Sequence, residues 1–323
     1  MKVTITDIAK MAGVSKSTVS RFLNNGYVSE ANRKKIQTAI DKTNYQANFF
    51  AQALNADKSQ LIGVIIPRFS SFTSNQTLKG IASSLEVAGY EMFITSSNLS
   101  VEKELKQIEK FIAMGVDGII SITTQITDDH VSLSQESKVP ILFVGQTHPD
   151  VNCLAIDDHQ VGKIAAEYLK SNQFKKALYI GVTEKDKAVG YYRKKGFIDH
   201  FDESTVVLES DFSFDNAYNL GSEVLKYDPE VIICTTDNMA IGMMRYFIEH
   251  HIDVPKDISV LSFGGYDVSS AIHPPLTTVA INYEGLGKQA CSYLFNLIEN
   301  PNYTQKSDLY EDFHLIERSS VKK

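Results

Sequence analysis

The sequence predicts an α/β protein in which a small all-α headpiece precedes two lobes, each a parallel β-sheet with helices on both faces. Three observations predict this class. Apolar residues recur at helical spacing through the first 43 residues, strand and helix patterns alternate from Gln60 onwards, and the charge changes sign between these regions. The length of 323 residues gives room for two or three domains.

Basic residues are concentrated near the N-terminus. Residues 1–57 hold eight of the 32 Lys and Arg residues but only four of the 39 Asp and Glu residues, which leaves 24 basic and 35 acidic residues in the rest of the chain. A basic module joined to an acidic body is typical of a small polyanion-binding domain attached to a domain with another task.

Several classes of protein are not expected. No apolar run approaches the ~20 residues of a membrane span, and the N-terminus lacks the apolar stretch of a secretory signal, so we expect a cytoplasmic protein without a membrane partner. Cys153, Cys234 and Cys291 lie far apart and are expected to be isolated buried thiols. The histidines lack the spacing of metal ligands, and the sequence contains no phosphate-binding glycine motif. We therefore expect no metal site, no cofactor and no enzyme activity.

The headpiece pattern predicts three helices, over residues 4–12, 16–24 and 30–43. Thr4 or Thr6 is the expected N-cap of the first helix, and Ser15 and Ser29 are expected to cap the other two. Gly13 ends the first helix because glycine readily adopts the left-handed conformation that follows a helix. Two helices joined by a short turn, with a third as a brace, form a helix-turn-helix arrangement.

The second helix presents polar side chains opposite its apolar stripe. Lys16, Ser17, Ser20 and Arg21 are hydroxyl or long basic residues, which suit contacts with base edges and phosphates. The alternative is an ordinary three-helix bundle with a solvated polar face. Charge, turn residues and the composition of this face together favour DNA binding.

The segment from Thr4 to Arg21, TITDIAKMAGVSKSTVSR, resembles the opening of the LacI family of bacterial transcription regulators. Further matching positions are Asn24, Val28, Ser29, Arg33, Ile36, Asn44, Tyr45, Asn48, Ala51 and Leu54. The resemblance continues more loosely after residue 60. It implies a DNA-binding domain over residues 1–47, a hinge helix and linker over residues 48–57, and an effector-binding and dimerisation domain over residues 58–323.

The resemblance also implies the contacts with operator DNA in the major groove. Lys16, Ser17 and Arg21 would read bases there. Phosphate contacts would come from the hydroxyl and amide residues Thr4, Ser15, Thr18, Ser20 and Asn24.

In the family, the hinge helix orders when the operator binds. Asn48, Ala51 and Leu54 would contact DNA, and Leu54 matches the leucine that is inserted as an apolar wedge into the minor groove. Ala47 stands where the family usually has proline, and it lacks the fixed φ of that residue. We therefore expect the hinge to order less readily.

Beyond residue 60, two series of strands and helices of similar length predict the two lobes. Predicted strands cover residues 61–66, 90–95, 118–122, 141–144, 177–181, 205–208, 231–234 and 258–263. Predicted helices cover residues 77–88, 101–114, 161–170, 191–201, 214–225, 239–250 and 283–299. The resemblance implies Rossmann-like lobes of a periplasmic-binding-protein-like core, with a small ligand at the carboxyl ends of the strands.

Candidate ligand contacts follow the predicted strands of the first lobe. Arg68, Phe72 and Asn75 offer a cation, an aromatic face and an amide after the first strand, which together suit a sugar. Gln146 follows the fourth strand and is able to bond a hydroxyl. Each of these residues has a plainer interpretation as part of an exposed polar loop.

Further candidates come from the second lobe. Tyr191 and Arg193 belong to a stretch that carries the family's Arg-x-x-Gly-Phe pattern, and Asp267 ends its Gly-Tyr-Asp pattern. The resemblance implies that Arg193 and Asp267 bind the effector, as their counterparts do in many members. After the strand at 231–234, Thr236 is assigned to the effector, whereas Asp237 is expected to be the N-cap of the next helix.

These observations predict a sugar-responsive transcriptional repressor that binds a pseudo-palindromic operator as a homodimer. The segment around Arg68 and the stretch from Asp186 to Gly190 are similar to the disaccharide-responsive branch of the family, and so is the segment around Asn25. The expected effector is sucrose or sucrose 6-phosphate, then trehalose 6-phosphate, with Arg68 selecting a phosphate group. The alternative is a sugar-binding transport protein or a sugar-modifying enzyme with a fortuitous N-terminal extension.

Overall fold

The computed structural model describes residues 3–23, 26–45, 58–202, 204–300, 303 and 307–323. In the headpiece, the three predicted helices are confirmed as α1 (Ile5–Ala12), α2 (Lys16–Leu23) and α3 (Glu30–Thr43). Their apolar stripes enclose a small core in which Ile8, Val19 and Ile36 are fully buried. Because each helix contributes one of these side chains, the three helices pack around a shared centre.

The ends of the headpiece helices follow largely from the predicted capping residues. Thr4 and Asp7 form a capping box at α1, and Gly13 ends that helix in the left-handed conformation with φ 64°. The Ser15 hydroxyl accepts a backbone N–H from the first turn of α2 at 3.1 Å. Ser29 is the N-cap residue of α3, as predicted, although its hydroxyl makes no capping hydrogen bond.

In the described residues, the sheet of the first lobe has the strand order β2-β1-β3-β4-β5-β11. Its strands are β1 (Leu61–Ile66), β2 (Glu91–Ser96), β3 (Gly118–Ile122), β4 (Ile141–Val144), β5 (Cys153–Ile156) and β11 (Ser307–Tyr310), all parallel. The helices of this lobe are α4 (Phe72–Ala88), α5 (Val101–Met114), α6 (Asp128–Glu136) and α13 (Tyr283–Glu299). Every residue of β1 is buried, as expected of a central strand covered on both faces.

The second sheet has the order β7-β6-β8-β9-β10-β12. Its strands are β6 (Ala177–Gly181), β7 (Val206–Glu209), β8 (Val231–Cys234), β9 (Ser259–Gly264), β10 (Thr277–Ile281) and β12 (Phe313–Ile316), and β12 alone among them runs antiparallel to its neighbour. Its helices are α7 (Asp158–Ser171), α8 (Lys194–His200), α9 (Phe214–Asn219), α10 (Gly221–Leu225), α11 (Asp237–Glu249) and α12 (Val268–Ala271), with a π-helix at Lys187–Arg193.

The backbones of α4 and α13 touch where they cross. A Cβ atom on Gly80 would lie 2.0 Å from the backbone oxygen of Glu284, and one on Gly287 would lie 2.1 Å from that of Thr77. These two glycines are therefore required for the close approach of the helices. The crossing holds α4 beside the first sheet, so that the loop after β1 is fixed at the edge where ligands are expected.

The predicted α/β class with two parallel-sheet lobes is confirmed, but some element boundaries are wrong. The helix predicted at 77–88 begins at Phe72 because Ser71 caps it, and the helix predicted at 214–225 is divided into α9 and α10. The π-helix and α8 occupy the helix predicted at 191–201. The sequence patterns missed α6, α12, β5, β10, β11 and β12. In the described part of the chain, no helix is long and apolar enough to cross a membrane.

Candidate DNA-binding face and ligand cleft

The exposed face of α2 carries the residues predicted to read bases. Lys16, Ser17 and Arg21 are exposed, while Val19 on the opposite face is fully buried. The side chains are therefore presented outward by an anchored helix. Ser20 and Thr18 are half-buried at the margin of this face.

A hydroxyl network begins α2. The Ser15 hydroxyl lies 2.8 Å from that of Ser17 and 2.8 Å from that of Thr18, so these three predicted contacts are held in one cluster. Thr4 is exposed, and its hydroxyl donates to the Asp7 carboxylate at 2.7 Å. The other predicted DNA contacts, Asn24, Asn48, Ala51 and Leu54, lie outside the described residues.

A cleft of about 560 Å³ lies between the two lobes, at the carboxyl ends of their strands. Five of the predicted effector contacts line it: Arg68, Phe72, Gln146, Arg193 and Thr236. Its walls also carry many hydroxyl groups, those of Ser70, Ser71, Thr73, Ser74, Thr77, Thr123, Thr124 and Ser213. A concave site with aromatic faces and numerous hydroxyl groups suits a hydroxyl-rich ligand.

Arg193 is the deepest cation of the described cleft and is only 2% exposed. Its Nε donates to Oδ1 of Asp158 at 2.7 Å, its Nη2 forms an ion pair with the same oxygen at 2.5 Å, and its Nη1 donates to the Thr235 carbonyl at 3.1 Å. Burial would lower the pKa of Arg193, but the Asp158 carboxylate raises it above its ordinary value. The guanidinium is therefore a permanently charged group with a fixed counter-ion.

Gln146 joins the two lobes. Its Nε2 donates to Oδ1 of Asp186 at 2.9 Å, and its Oε1 accepts the backbone N–H of Ala188 at 3.3 Å. Gln146 follows β4 of the first lobe, whereas both partners follow β6 of the second. Burial raises the pKa of Asp186, while the N–H donors of Val189 and Gln146 oppose the shift. The amide of Gln146 is thus committed to a contact between the lobes.

Two more contacts connect the lobes beside the cleft. The rings of Phe72 and Tyr266 stack with their centroids 4.0 Å apart and an interplanar angle of 29°. The guanidinium carbon of Arg68 lies 5.4 Å from the centroid of the Phe212 ring. Aromatic rings of the second lobe, Tyr266 and Phe212, therefore pack against two predicted ligand contacts of the first lobe, Phe72 and Arg68.

Three predicted effector residues do not line this cleft. The amide of Asn75 donates to the Phe69 carbonyl at 3.1 Å, which fixes the loop before α4. The ring of Tyr191 lies under the Lys187 ammonium, 5.2 Å from its centroid. Asp267 is exposed, although its neighbours Tyr266 and Val268 line the cleft. Local geometry thus assigns Asn75 a structural contact and directs the other two away from the lining.

The cap expected at Asp237 is wrong by one residue. The Thr236 hydroxyl accepts the Met239 N–H and is the N-cap of α11. Asp237 is fully buried and accepts the Tyr266 backbone N–H at 2.6 Å. It also accepts hydroxyl hydrogen bonds from Ser262, Ser269 and Thr278. This buried carboxylate therefore holds the Tyr266 loop against the cleft.

The sequence analysis missed several residues of the cleft. Asp158, Phe212 and Tyr266 are among them, and Asp186 was noted only within its segment. Asp158 lies just after β5, a strand that the sequence patterns missed, so its place at the carboxyl end of a strand could not be recognised. The described residues contain no cluster of three or more His, Cys, Asp or Glu side chains that could hold a metal ion.

A basic helix-turn-helix headpiece and a ligand-sized cleft between two α/β lobes define a ligand-responsive DNA-binding regulator. Sequence comparison gives its family. The family described as "Bacterial regulatory proteins, lacI family" matches residues 4–48, and a "Periplasmic binding protein-like domain" matches residues 166–321. The chain is 35% identical over 307 residues to the sucrose operon repressor of Staphylococcus xylosus, which covers 94% of this chain and 96% of that protein. The protein belongs to the LacI family and is a DNA-binding transcriptional repressor.

Other relatives match this chain along their whole length. Catabolite control protein A of Priestia megaterium is 28% identical, and each chain is covered completely. The Lac repressor dimer bound to operator and the anti-inducer ONPF matches in fold with a TM-score of 0.88 and 24% identity, with 99% of each chain covered. The CelR regulator with cellobiose matches at a TM-score of 0.73 and 22% identity, with 98% of this chain and 99% of that chain covered. These relatives are regulators rather than enzymes, and a headpiece shared with them is not a fortuitous extension.

Proposed function

We propose that this repressor controls a sugar-utilisation operon and is released from its operator when a disaccharide or its phosphate ester occupies the cleft. The observation that carries this proposal is the cleft itself, whose lining combines many hydroxyl groups, a buried arginine and two aromatic contacts. The likeness to a sucrose operon repressor favours sucrose or a phosphorylated form of it. A repressor of this kind acts on DNA in the cytoplasm.

The proposed mechanism is a linkage between two binding sites. Operator binding favours the arrangement in which the hinge over residues 48–57 is ordered, and the effector favours a different arrangement of the two lobes. Each ligand then lowers the affinity for the other by the same factor. The proposed boundaries are residues 1–47 for DNA binding, 48–57 for the hinge and 58–323 for effector binding and dimerisation.

We also propose a homodimer that matches a pseudo-palindromic operator. Both sheets end in an edge strand at corresponding positions, β2 in one lobe and β7 in the other. Each edge exposes a β-branched side chain, since Ile94 is 41% and Val207 is 39% exposed. Exposed apolar edges of this kind are normally covered, and a second copy of the chain would cover both.

The test of the proposed function is operator binding measured by fluorescence anisotropy in the presence of a panel of sugars. Wild type is expected to lose operator affinity with one sugar or sugar phosphate, and its affinity should fall steeply with salt because phosphate contacts release counter-ions. Arg193→Ala should bind the operator but no longer release it. Leu54→Ala should lose operator affinity and keep sugar binding. Salt-independent operator binding, or release by no sugar, would contradict the proposal.

Arg68 is proposed to select the phosphate of a phosphorylated disaccharide. It lies at the rim of the cleft and packs against Phe212, so its fork of donors is available to a dianion. The test is titration of wild type, Arg68→Lys and Arg68→Ala with sucrose and sucrose 6-phosphate. The ester should bind wild type more tightly, and this advantage should be reduced in Arg68→Lys and mostly absent in Arg68→Ala. Equal or tighter binding of plain sucrose to wild type would refute this role.

A further inference from the structure

We infer that Asp158 is a specificity-determining residue that contacts the ligand and reserves the deep part of the cleft for an uncharged ring rich in hydroxyl groups. This inference rests on the proposed function, because it names the chemical class that the same cleft accepts. The residue lies at the start of α7 and is 4% exposed, yet it lines the cleft.

The first step of the argument is that Arg193 has no charge to offer an anion. Asp158 neutralises it through a hydrogen bond from Nε and an ion pair with Nη2, both to a single carboxylate oxygen, Oδ1. The guanidinium carbon also lies 5.4 Å from the centroid of the Phe263 ring, so an apolar face supports the pair from one side. A buried arginine with a buried counter-ion behaves as a neutral, strongly oriented group.

The second step concerns the hydrogen-bonding groups that remain free for a ligand. Of the five N–H groups of Arg193, one donates to Asp158, one donates to the Thr235 carbonyl, and a third, on Nη2, is paired with Oδ1 of Asp158, which leaves two. Within the described residues, Oδ2 of Asp158 accepts no hydrogen bond. The pair therefore presents free donors and one free acceptor to the cleft, with no net charge.

The third step compares ligand classes at this position. Two neighbouring hydroxyl groups supply an acceptor for the guanidinium and a donor for Oδ2, so a sugar ring satisfies both groups. A carboxylate or a fully ionised phosphate ester supplies acceptors only, and inorganic phosphate, although it retains a P–OH group, would like them bring a negative charge against Oδ2. Asp158 thus rejects anions from the deep subsite by repulsion, which is how a site discriminates against the wrong partner. Any phosphate on the ligand must then lie elsewhere, at the rim beside Arg68.

The experiment uses the full-length protein and two probes, sucrose and inorganic phosphate, followed by isothermal titration calorimetry. Asp158→Asn keeps the shape of the side chain and removes its charge, which leaves Arg193 unneutralised. We expect phosphate to bind this variant at least tenfold more tightly than wild type and sucrose to bind about tenfold less tightly. The double variant Asp158→Asn/Arg193→Gln removes both charges and should lose the gain in phosphate affinity.

Asp157→Asn is the matched control. It makes the same substitution one residue earlier, and asparagine serves equally well as the N-cap that Asp157 provides to α7. Phosphate affinity should be unchanged in this control, and Arg68 is present in every variant, so phosphate binding at the rim cancels in the comparison. If the single variant does not fold, Asp158→Glu keeps the counter-ion of Arg193 and moves only the second carboxylate oxygen, so it should bind sucrose less tightly than wild type and still exclude phosphate; unchanged sucrose affinity would refute the contact.

Two results would overturn the inference: unchanged phosphate affinity in Asp158→Asn, or sucrose affinity that is the same as in wild type. Operator binding of the same preparations separates these failures from a failure of the proposed function. If wild type binds operator but the variant gains no phosphate affinity, only the role of Asp158 is refuted. If wild type binds no operator, the proposed function is refuted, and the phosphate comparison still decides the role of Asp158.

Discussion

Replacement of Gln146 by leucine tests whether one amide side chain holds the two lobes in the arrangement described here. The substitution keeps the approximate volume of the side chain and removes both hydrogen bonds, one to the Asp186 carboxylate and one from the Ala188 N–H. A hydrogen bond to a charged group contributes about 1.5–3 kcal/mol and a neutral one about 0.5–1.5 kcal/mol. Gln146→Leu should therefore lower the free energy of unfolding of the α/β body by about 2–4 kcal/mol at pH 7.

The assay is urea unfolding followed by far-ultraviolet circular dichroism. The signal of the small headpiece is fitted as a separate contribution, so that the free energy of unfolding refers to the α/β body. Gln125→Leu provides the control, since it makes the same change at an exposed position in the same lobe. Sugar binding measured on the same protein shows whether the loosened lobes still close on a ligand. A loss below about 0.5 kcal/mol, equal to that of the control, would refute the reasoning, because the contact would then add nothing beyond what water supplies.

Three further predictions concern single side chains. Asp186→Asn keeps an acceptor for Gln146 and removes a buried charge, so the variant should be more stable than wild type at pH 7. Burial raises the pKa of Asp186 in the folded state. The difference in stability between variant and wild type should therefore shrink as the pH falls through that pKa towards the unfolded value of about 3.9, as pH-dependent urea titrations would show. Gly80→Ala should destabilise the body by about 2 kcal/mol or more in urea unfolding, because the new methyl group meets the Glu284 backbone rather than a side chain that can move. A variant as stable as wild type, or more stable, would contradict the close crossing of α4 and α13. Thr4→Ala should cost the headpiece about 1 kcal/mol through loss of the capping box, and thermal unfolding without any shift would exclude that cap.

The sequence was most informative where a local pattern determines a local structure. Gly13 could be assigned because a helix that stops needs a residue tolerant of positive φ. The central strand at Leu61–Ile66 could be assigned because a strand buried on both faces has no polar position to interrupt its apolar run. By contrast, α6 was missed because His130 is its only buried residue, so it has no apolar stripe to recognise.

The contacts that organise the cleft were beyond local patterns. Arg193 and Asp158 are 35 residues apart, and Gln146 and Asp186 are 40 apart, on elements whose meeting depends on the whole topology. Sequence reasoning placed Gln146 near a ligand from its position after a strand, and Arg193 from its resemblance to the family's Arg-x-x-Gly-Phe pattern. It gave no means of knowing that their hydrogen-bonding groups are largely taken up by other protein groups, because side-chain partners are decided by tertiary packing.

The order in which the chain is synthesised gives the C-terminal strands a particular importance. The headpiece is made first and needs none of the later residues for its own core. Each sheet, however, receives its last strand only near the end of translation, when β11 pairs with β5 and β12 pairs with β10. A nascent or prematurely terminated chain that stops before Ser307 therefore leaves β5 and β10 as open edges, which are prone to pair with other chains. Such a product carries a finished DNA-binding module on an unfinished α/β body, so errors late in synthesis damage the folding of the body before they damage the helix-turn-helix.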